Sequence, residues 1–316
     1  MNHLLSIHDL SREDALYLLA EAARVKAELR ENAASGMDTL RGKTLAMVFE
    51  KPSLRTRVSF DTGMFQFGGH AITLAPNEIG LGKRESVADV ARVLGGMCDG
   101  IMARVFKNET LVELAKWANV PVINGLCDVE HPCQALADLL TLREEKGLEN
   151  RKIAYVGDGN NVCHSLMLLC AKIGVEFSAA TPEGYAMPLE WVESARQMGE
   201  VGIFIDPREA VQNADAIYTD VWTSMGQEEE SAQRLEVFPP YQINADLMKS
   251  AKNDAIILHC LPAHRGEEIS AEMMESPQSR VFQQAENRLH AQKAVLSWLL
   301  GGDVAGDIRT PFISDP

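Results

Sequence analysis

Six short segments of this chain place donors, cations or acids where an apolar run gives way to a loop. The first is Lys51-Pro52-Ser53-Leu54-Arg55-Thr56-Arg57. It follows the apolar run Leu45-Ala46-Met47-Val48-Phe49 and precedes a helical pattern opening at Val58-Ser59-Phe60. A strand-to-helix junction gathers unpaired backbone N–H groups and the positive end of the helix dipole at one point. Anions bind at such points. Ser53 and Thr56 add hydroxyl donors, and Arg55 and Arg57 add forked cations that match phosphate. The same residues would also make a plain basic helix start facing solvent.

The second segment is His131-Pro132-Cys133-Gln134, after the strand pattern Val122-Ile123-Asn124. Pro132 suits the first position of a helix. His131 would then face the carboxyl end of a sheet, where α/β ligands bind. An imidazole can donate to a developing oxyanion, and a Gln amide can donate and accept. Helix capping is the plainer use. Arg104 closes the apolar strand Gly100-Ile101-Met102-Ala103, and a structural ion pair would equally explain it. His259-Cys260-Leu261-Pro262 also ends an apolar strand, although free cysteines are commonly just buried. Asp220-Val221-Trp222-Thr223-Ser224-Met225-Gly226 puts an acid at a strand end before a glycine loop. It could hold an ammonium group, or be a capped turn. Gly157-Asp158-Gly159-Asn160-Asn161 resembles a dinucleotide fingerprint only in part. Val162 stands where the third glycine belongs, and no ribose-binding acid follows the next strand.

These segments need a scaffold that delivers strand ends to one side. Strands are expected near 43–49, 70–74, 99–104 and 121–124, then 153–156, 175–181, 202–205, 215–221 and 255–260. Helices fit 11–31, 55–67, 86–96, 109–118, 132–146 and about 284–300. Ser11 with Asp14 resembles a capping pair, and Gly147 stops a helix. This alternation predicts an α/β protein with parallel sheets flanked by helices. At 316 residues, two domains are expected, with the polar stretch 147–152 between them.

Composition narrows the function classes. A net charge of −15 disfavours a nucleic-acid footprint or a polybasic membrane face. No apolar stretch approaches the roughly 20 residues of a membrane span. The start, Met1-Asn2-His3-Leu4-Leu5-Ser6, lacks a basic and apolar leader pattern. Six scattered cysteines without a CxxC pair fit reduced thiols in a cytosolic enzyme, not a disulfide frame or zinc site.

Taken in order along the chain, the segments resemble the aspartate/ornithine carbamoyltransferase family, and within it the ornithine branch. Ser53 to Arg57, Arg104 and His131-Pro132-Cys133-Gln134 carry the likeness to the whole family. Ser224-Met225-Gly226, His259-Cys260-Leu261-Pro262 and Glu286-Asn287-Arg288 carry the likeness to the branch. The resemblance runs nearly from end to end. It implies two doubly wound domains, each a parallel sheet flanked by helices, joined by interdomain helices. Residues 1–147 would bind carbamoyl phosphate, with a C-terminal helix of about 284–310 returning to that domain. Residues 148–283 would bind ornithine.

The resemblance also implies roles. Ser53, Leu54, Arg55, Thr56 and Arg57 would hold or border the phosphate. Arg104, His131 and Gln134 would bind the carbamoyl end, with Cys260, Leu261 and Arg288 completing that pocket. Asn161, Asp220, Ser224 and Met225 would bind ornithine, with Asp220 and Cys260 near the side-chain amine. Arg104, His131, Cys260 and Asp220 form the implied catalytic set. The neutral δ-amine would attack the carbamoyl carbon and phosphate would leave, with no metal, cofactor or covalent intermediate. The implied partners are carbamoyl phosphate, L-ornithine and further copies of the chain, in a homotrimer or multiple of trimers with active sites shared between subunits. Neither nucleic acid nor membrane is implied, the expected location is the cytoplasm, and the expected pathway is arginine biosynthesis.

Two positions depart from the family pattern. Leu54 stands where many relatives carry Thr. Gly80, in Gly80-Leu81-Gly82-Lys83-Arg84-Glu85-Ser86, stands where relatives place a Gln or His that reaches a neighbouring subunit's site. The Gly80 backbone or Lys83 is expected to replace that contact. Rival readings are a transcarbamylase acting on putrescine or an acylated ornithine, a silent ligand-binding paralogue, and a nicotinamide oxidoreductase. Ser224-Met225-Gly226 argues against the first, the full catalytic set against the second, and Val162 against the third.

Overall fold

The computed structural model describes residues 3–32, 38–223 and 228–301. Its contacts divide the chain into two compact units. One comprises Met1–Leu5, Tyr17–Cys127 and Leu289–Pro316, and the other Ser6–Leu16 and Asp128–Arg288.

In chain order the first part contains α1 (Arg12–Glu31), β1 (Thr44–Phe49), α2 (Leu54–Gln66), β2 (His70–Leu74) and α3 (Pro76–Ile79). It continues with α4 (Val87–Met97), β3 (Gly100–Arg104), α5 (Asn108–Trp117) and β4 (Val122–Leu126). The four strands pair in parallel in the order β2-β1-β3-β4. Met47, Val48, Ile101, Met102 and Ile123 have no exposed surface, while the edge strand β2 has no fully buried residue. Parallel strands covered on both faces must be apolar throughout, which is why β1 and β3 read as unbroken apolar runs. Each buried Leu, Ile or Met contributes about 1.5–3 kcal/mol relative to exposure.

The second part begins with α6 (Pro132–Lys146), β5 (Lys152–Val156), α7 (Asn161–Ile173), β6 (Glu176–Ala180), α8 (Leu189–Arg196) and β7 (Val201–Phe204). Then follow α9 (Pro207–Val211), β8 (Ala216–Thr219), α10 (Ser231–Val237), α11 (Ala245–Met248), β9 (Ile256–His259), α12 (Ala271–Met274) and α13 (Val281–Leu300). The unit boundary at Arg288/Leu289 falls inside α13. Five parallel strands take the order β7-β6-β5-β8-β9. Ala154, Val156, Ile217, Ile257, Ile243 and Ile269 lie at the centre of this core.

Both sheets reverse their winding once. In the first, successive strands lead away from β1 to β2 on one side and through β3 to β4 on the other. In the second, β5 leads to β6 and β7 on one side and to β8 and β9 on the other. The crevice at such a reversal is open at the carboxyl ends of the strands, where α/β proteins bind ligands. The expected segments occupy these ends. Ser53 to Arg57 follow β1 and Arg104 ends β3, while Gly157 to Asn161 follow β5 and Asp220 follows β8.

Local signals behave as expected. The Ser11 and Asp14 side chains exchange bonds with each other's backbone N–H at 3.1 and 2.9 Å. Pro132 opens α6, and Gly147 closes it with φ +76°. The final helix begins three residues before its expected start at 284.

Candidate functional site

In the first unit the site starts at the end of β1. Phe49 is in register with Arg104, and the Glu50 N–H donates to the Arg104 carbonyl at 2.9 Å. The β3–β4 register shifts between Ala103 and Arg104, so the strand is irregular where the guanidinium departs. Ser53 is the N-cap of α2, and its hydroxyl accepts the Thr56 N–H at 3.3 Å. Thr56 is buried, and Arg55 is half-buried. Leu54 is 74% exposed, so its side chain fills no pocket among the described residues. Its N–H, first in the helix, has no acceptor within the helix itself. The Leu-for-Thr departure therefore leaves the backbone donor intact.

Gly80 caps α3 in the left-handed region at φ +56°. A Cβ there would stand 2.7 Å from Arg84 Cβ. The turn Gly80-Leu81-Gly82 thus favours glycine at position 80.

The second unit holds His131, Gln134, Arg288, Cys260 and Leu261. His131 is the N-cap of α6, and its N–H donates to Ser165 Oγ at 2.8 Å. Ser165 in turn donates to the buried Glu130 carboxylate at 3.0 Å. Burial pushes the Glu130 carboxyl upward, against the lowering effect of bonds from Ile7, Ser6 and Ser165. Gln134 is 1% exposed, and its Oε1 accepts Arg288 Nη1 at 2.7 Å. Leu261 adopts φ +60°, a strained value for a branched residue, while its N–H donates to His259 Nδ1 at 2.9 Å. Because Nδ1 accepts, the His259 proton sits on Nε2, which donates to Glu268 at 2.9 Å.

Asp220 lies at the other reversal point. One carboxylate oxygen accepts Asn160 Nδ2 at 2.8 Å. The other accepts the Val221 N–H at 2.8 Å and the Cys260 thiol at 2.9 Å. Burial first, then the neighbouring Asp220, pushes the Cys260 thiol well above its ordinary range. It stays protonated and donates to Asp220; it is not a thiolate nucleophile. Asn161 opens α7, half-buried. Ser224 and Met225 lie outside the described residues.

Sequence reading passed over Asn160. It caps α7 by accepting from Val162 and Cys163 at 3.0 and 3.1 Å, while its amide holds Asp220. The Asn160-Asn161 pair after a glycine turn was its signal. Arg234 was also passed over. Buried beside Tyr185 and Phe238, it pairs with Asp158 and donates to the Trp222 carbonyl, both at 2.7 Å.

Asp220, His259 and Cys260 offer an oxygen, a nitrogen and a sulfur within 4.8 Å of one another. Both His259 nitrogens are already engaged, so an ion there would have to break the bond to Leu261 or Glu268.

Comparison with known proteins agrees with this geometry. The carbamoyl-P binding domain model of aspartate/ornithine carbamoyltransferases matches residues 2–144, and the Asp/Orn binding domain model matches residues 149–299. The chain belongs to the aspartate/ornithine carbamoyltransferase family. It is 56% identical to the ornithine carbamoyltransferase of Bacillus subtilis, over 94% of this chain and 93% of that one. The solved ornithine carbamoyltransferase of Pyrococcus furiosus superposes with a TM-score of 0.91 at 48% identity, covering 95% of this chain and 97% of that one. The anabolic enzyme of Campylobacter jejuni gives 0.89 at 39% identity, covering 95% and 99%.

Proposed function

We propose that this chain transfers the carbamoyl group of carbamoyl phosphate to the δ-amine of L-ornithine, giving L-citrulline and phosphate. The observation that carries the reading is the placement of four of the six segments at the reversal points of two parallel sheets, with the other two following the edge strands β4 and β9, in a chain sharing about half its residues with ornithine carbamoyltransferases along nearly its whole length.

The proposed division of labour follows the chain. Residues 1–147, with the returning C-terminal helix, form the carbamoyl-phosphate domain, and residues 148–283 form the ornithine domain. Ser53, Leu54, Arg55, Thr56 and Arg57 grip phosphate oxygens through the helix N-terminus, two hydroxyls and two guanidinium forks. Arg104, His131 and Thr56 donate to the carbamoyl oxygen. Attack makes that oxygen an oxyanion, and fixed donors stabilise it more than the ground-state carbonyl. Gln134, Arg288, Cys260 and Leu261 bound the rest of the carbamoyl group. Asn161, Asp220, Ser224 and Met225 orient ornithine.

The amine must shed its proton before its lone pair can attack. Asp220 is the acid whose acceptor oxygens suit that ammonium group, and the protonated Cys260 thiol, Asn160 and the Val221 N–H hold it in place. Electrons move from nitrogen to the carbamoyl carbon, the C–O bond to phosphate breaks with its electron pair leaving on phosphate, and the departing phosphate takes up the proton that the attacking nitrogen releases.

The proposed assembly is a homotrimer or a multiple of it. Leu54, Val58 and Phe65 on α2 and Ile72 on the edge strand β2 are exposed apolar side chains that a partner copy would cover. Lys83 or the Gly80 backbone would reach the neighbouring site. Light scattering on the purified chain tests the assembly, and a monomer at all concentrations would exclude it. Six free cysteines support a reducing, cytoplasmic location. Among the described residues, no helix is long and apolar enough to cross a membrane.

The decisive experiment is a citrulline assay with carbamoyl phosphate and a panel of amines. Ornithine should be the best acceptor. Faster turnover of putrescine or N-acetylornithine would replace the proposed substrate, and no turnover with any amine would leave a binding protein.

A further inference from the structure

Asp138 lies one helical turn beyond Gln134 on α6 and is fully buried. Its Oδ1 accepts two carboxamides, Gln134 Nε2 at 2.8 Å and Gln284 Nε2 at 2.7 Å. Gln134 turns its oxygen to Arg288 Nη1 at 2.7 Å. Gln284 turns its oxygen to the His259 N–H, also at 2.7 Å. The His259 ring then holds the Leu261 N–H. An amide fits its space either way round by shape alone, and the surrounding donors and acceptors decide which way it sits. A carboxylate offers only acceptors. Both amides must therefore turn their nitrogens towards Asp138 and their oxygens away.

We propose that Asp138 is a positioning residue for the transfer reaction: by fixing the rotation of Gln134 and Gln284, it aims the Gln134 oxygen and Arg288, and it braces the main chain leading into Cys260 and Leu261. The proposal rests on the reading of Gln134, Arg288, Cys260 and Leu261 as carbamoyl-phosphate contacts. Asp138 itself touches no substrate. A buried acid that only stabilised the fold would need no such pair of opposed amides. The orientation survives titration of the acid. Burial pushes the Asp138 carboxyl up to about 7, against smaller lowering effects from Gln134, Gln284, Arg288 and Tyr218. Neither amide uses its Oδ2. A proton there leaves Oδ1 accepting both amides.

The test uses the full chain carrying Asp138→Asn, Asp138→Leu or Gln284→Met. Asn keeps an acceptor oxygen, while Leu has similar bulk and no acceptor. Asp138→Asn should retain kcat/KM for carbamoyl phosphate to within about threefold, and Asp138→Leu should lose about 30-fold or more, as two buried donors lose their partner. Gln284→Met cuts only the arm to His259 and should raise the carbamoyl-phosphate KM about fivefold, leaving the ornithine KM within about twofold. Equal activity of the folded Asn and Leu variants, whether high or low, overturns the proposal. If Asp138→Leu does not fold, an unchanged carbamoyl-phosphate KM in Gln284→Met overturns it. Gln134→Ala and Arg288→Ala separate the two layers of the argument. If both keep the parental carbamoyl-phosphate KM, the reading of those contacts has failed, independently of what Asp138 does.

Discussion

The two sheets offer binding groups of opposite character. At the end of β1 the chain presents backbone donors, two hydroxyls and long cations beside side chains such as Leu54, 74% exposed. At the ends of β5, β8 and β9, Asn160 and Cys260 both donate to Asp220, and the buried Gln134, Asp138, Gln284 and Arg288 form a second hydrogen-bonded chain on α6 and α13. The first region suits a charged group that brings its own strong acceptors. The second must discriminate among amines and aim a small planar group, which needs side chains whose orientation is settled before the ligand arrives.

If that contrast is right, mutations in the second region should cost far more per atom removed. The largest effect is expected for Asp220→Asn, which keeps shape but loses the carboxylate proposed to face the amine. Its kcat/KM for ornithine should fall by about 10²–10³, in steady-state assays at fixed carbamoyl phosphate. Asn160→Ala should come next, with a loss of about 10- to 30-fold in the same constant and about 1 kcal/mol of stability from the missing helix cap. A loss of stability alone, with ornithine kinetics intact, would mean that Asp220 does not depend on Asn160.

Asp138 gives a prediction in pH. Its folded value of about 7 lies above the unfolded value of 3.8, so the folded state binds the extra proton between them. Its contribution to stability is fully present below pH 3.8 and is lost as pH rises through about 7. Thermal melts of Asp138→Asn should therefore gain on the parent chain as pH climbs from 5 to 8, on the order of 1 kcal/mol or more. Parallel melting curves across that range would contradict the shift.

The first region should respond weakly. Lys83→Ala should raise the carbamoyl-phosphate KM about threefold to tenfold if the lysine replaces the family's Gln or His, and leave it unchanged if the Gly80 backbone does so. Leu54→Thr should leave that KM within about twofold, because the donor concerned is the main chain. A larger change would show that the position 54 side chain takes part and would erode the contrast.

The same contrast explains what was legible in the sequence. Ser53 to Arg57 announced themselves because their chemistry is local: a cap, a helix start and charges within five residues. Pro132 and Gly147 marked both ends of α6 for the same reason. Central strands such as β1, β3 and β5 were readable because parallel strands buried on both faces are apolar without interruption. The strand order was not readable, since pairing β1 with β3 and β5 with β8 is decided by packing between distant segments. Short helices such as α3, α11 and α12 were missed because four residues hold too little periodicity to register. Asp138 and Gln284 are 146 residues apart, and within its own helix Asp138 reads as one acid in Ala135-Leu136-Ala137-Asp138-Leu139. Asn160 was overlooked beside Asn161 because both suit a cap, and only geometry shows which amide reaches Asp220.

The turn at Gly80 has a bearing on ancestry. With φ +56° and no room for a Cβ beside Arg84, this loop cannot accept a Gln or His at position 80 by one replacement. The backbone would have to leave its left-handed conformation and Arg84 would have to move in the same step. A lineage that has settled into this turn finds the return path closed to single changes. Its further variation is then channelled into neighbours such as Lys83, so the two solutions become alternatives that drift apart.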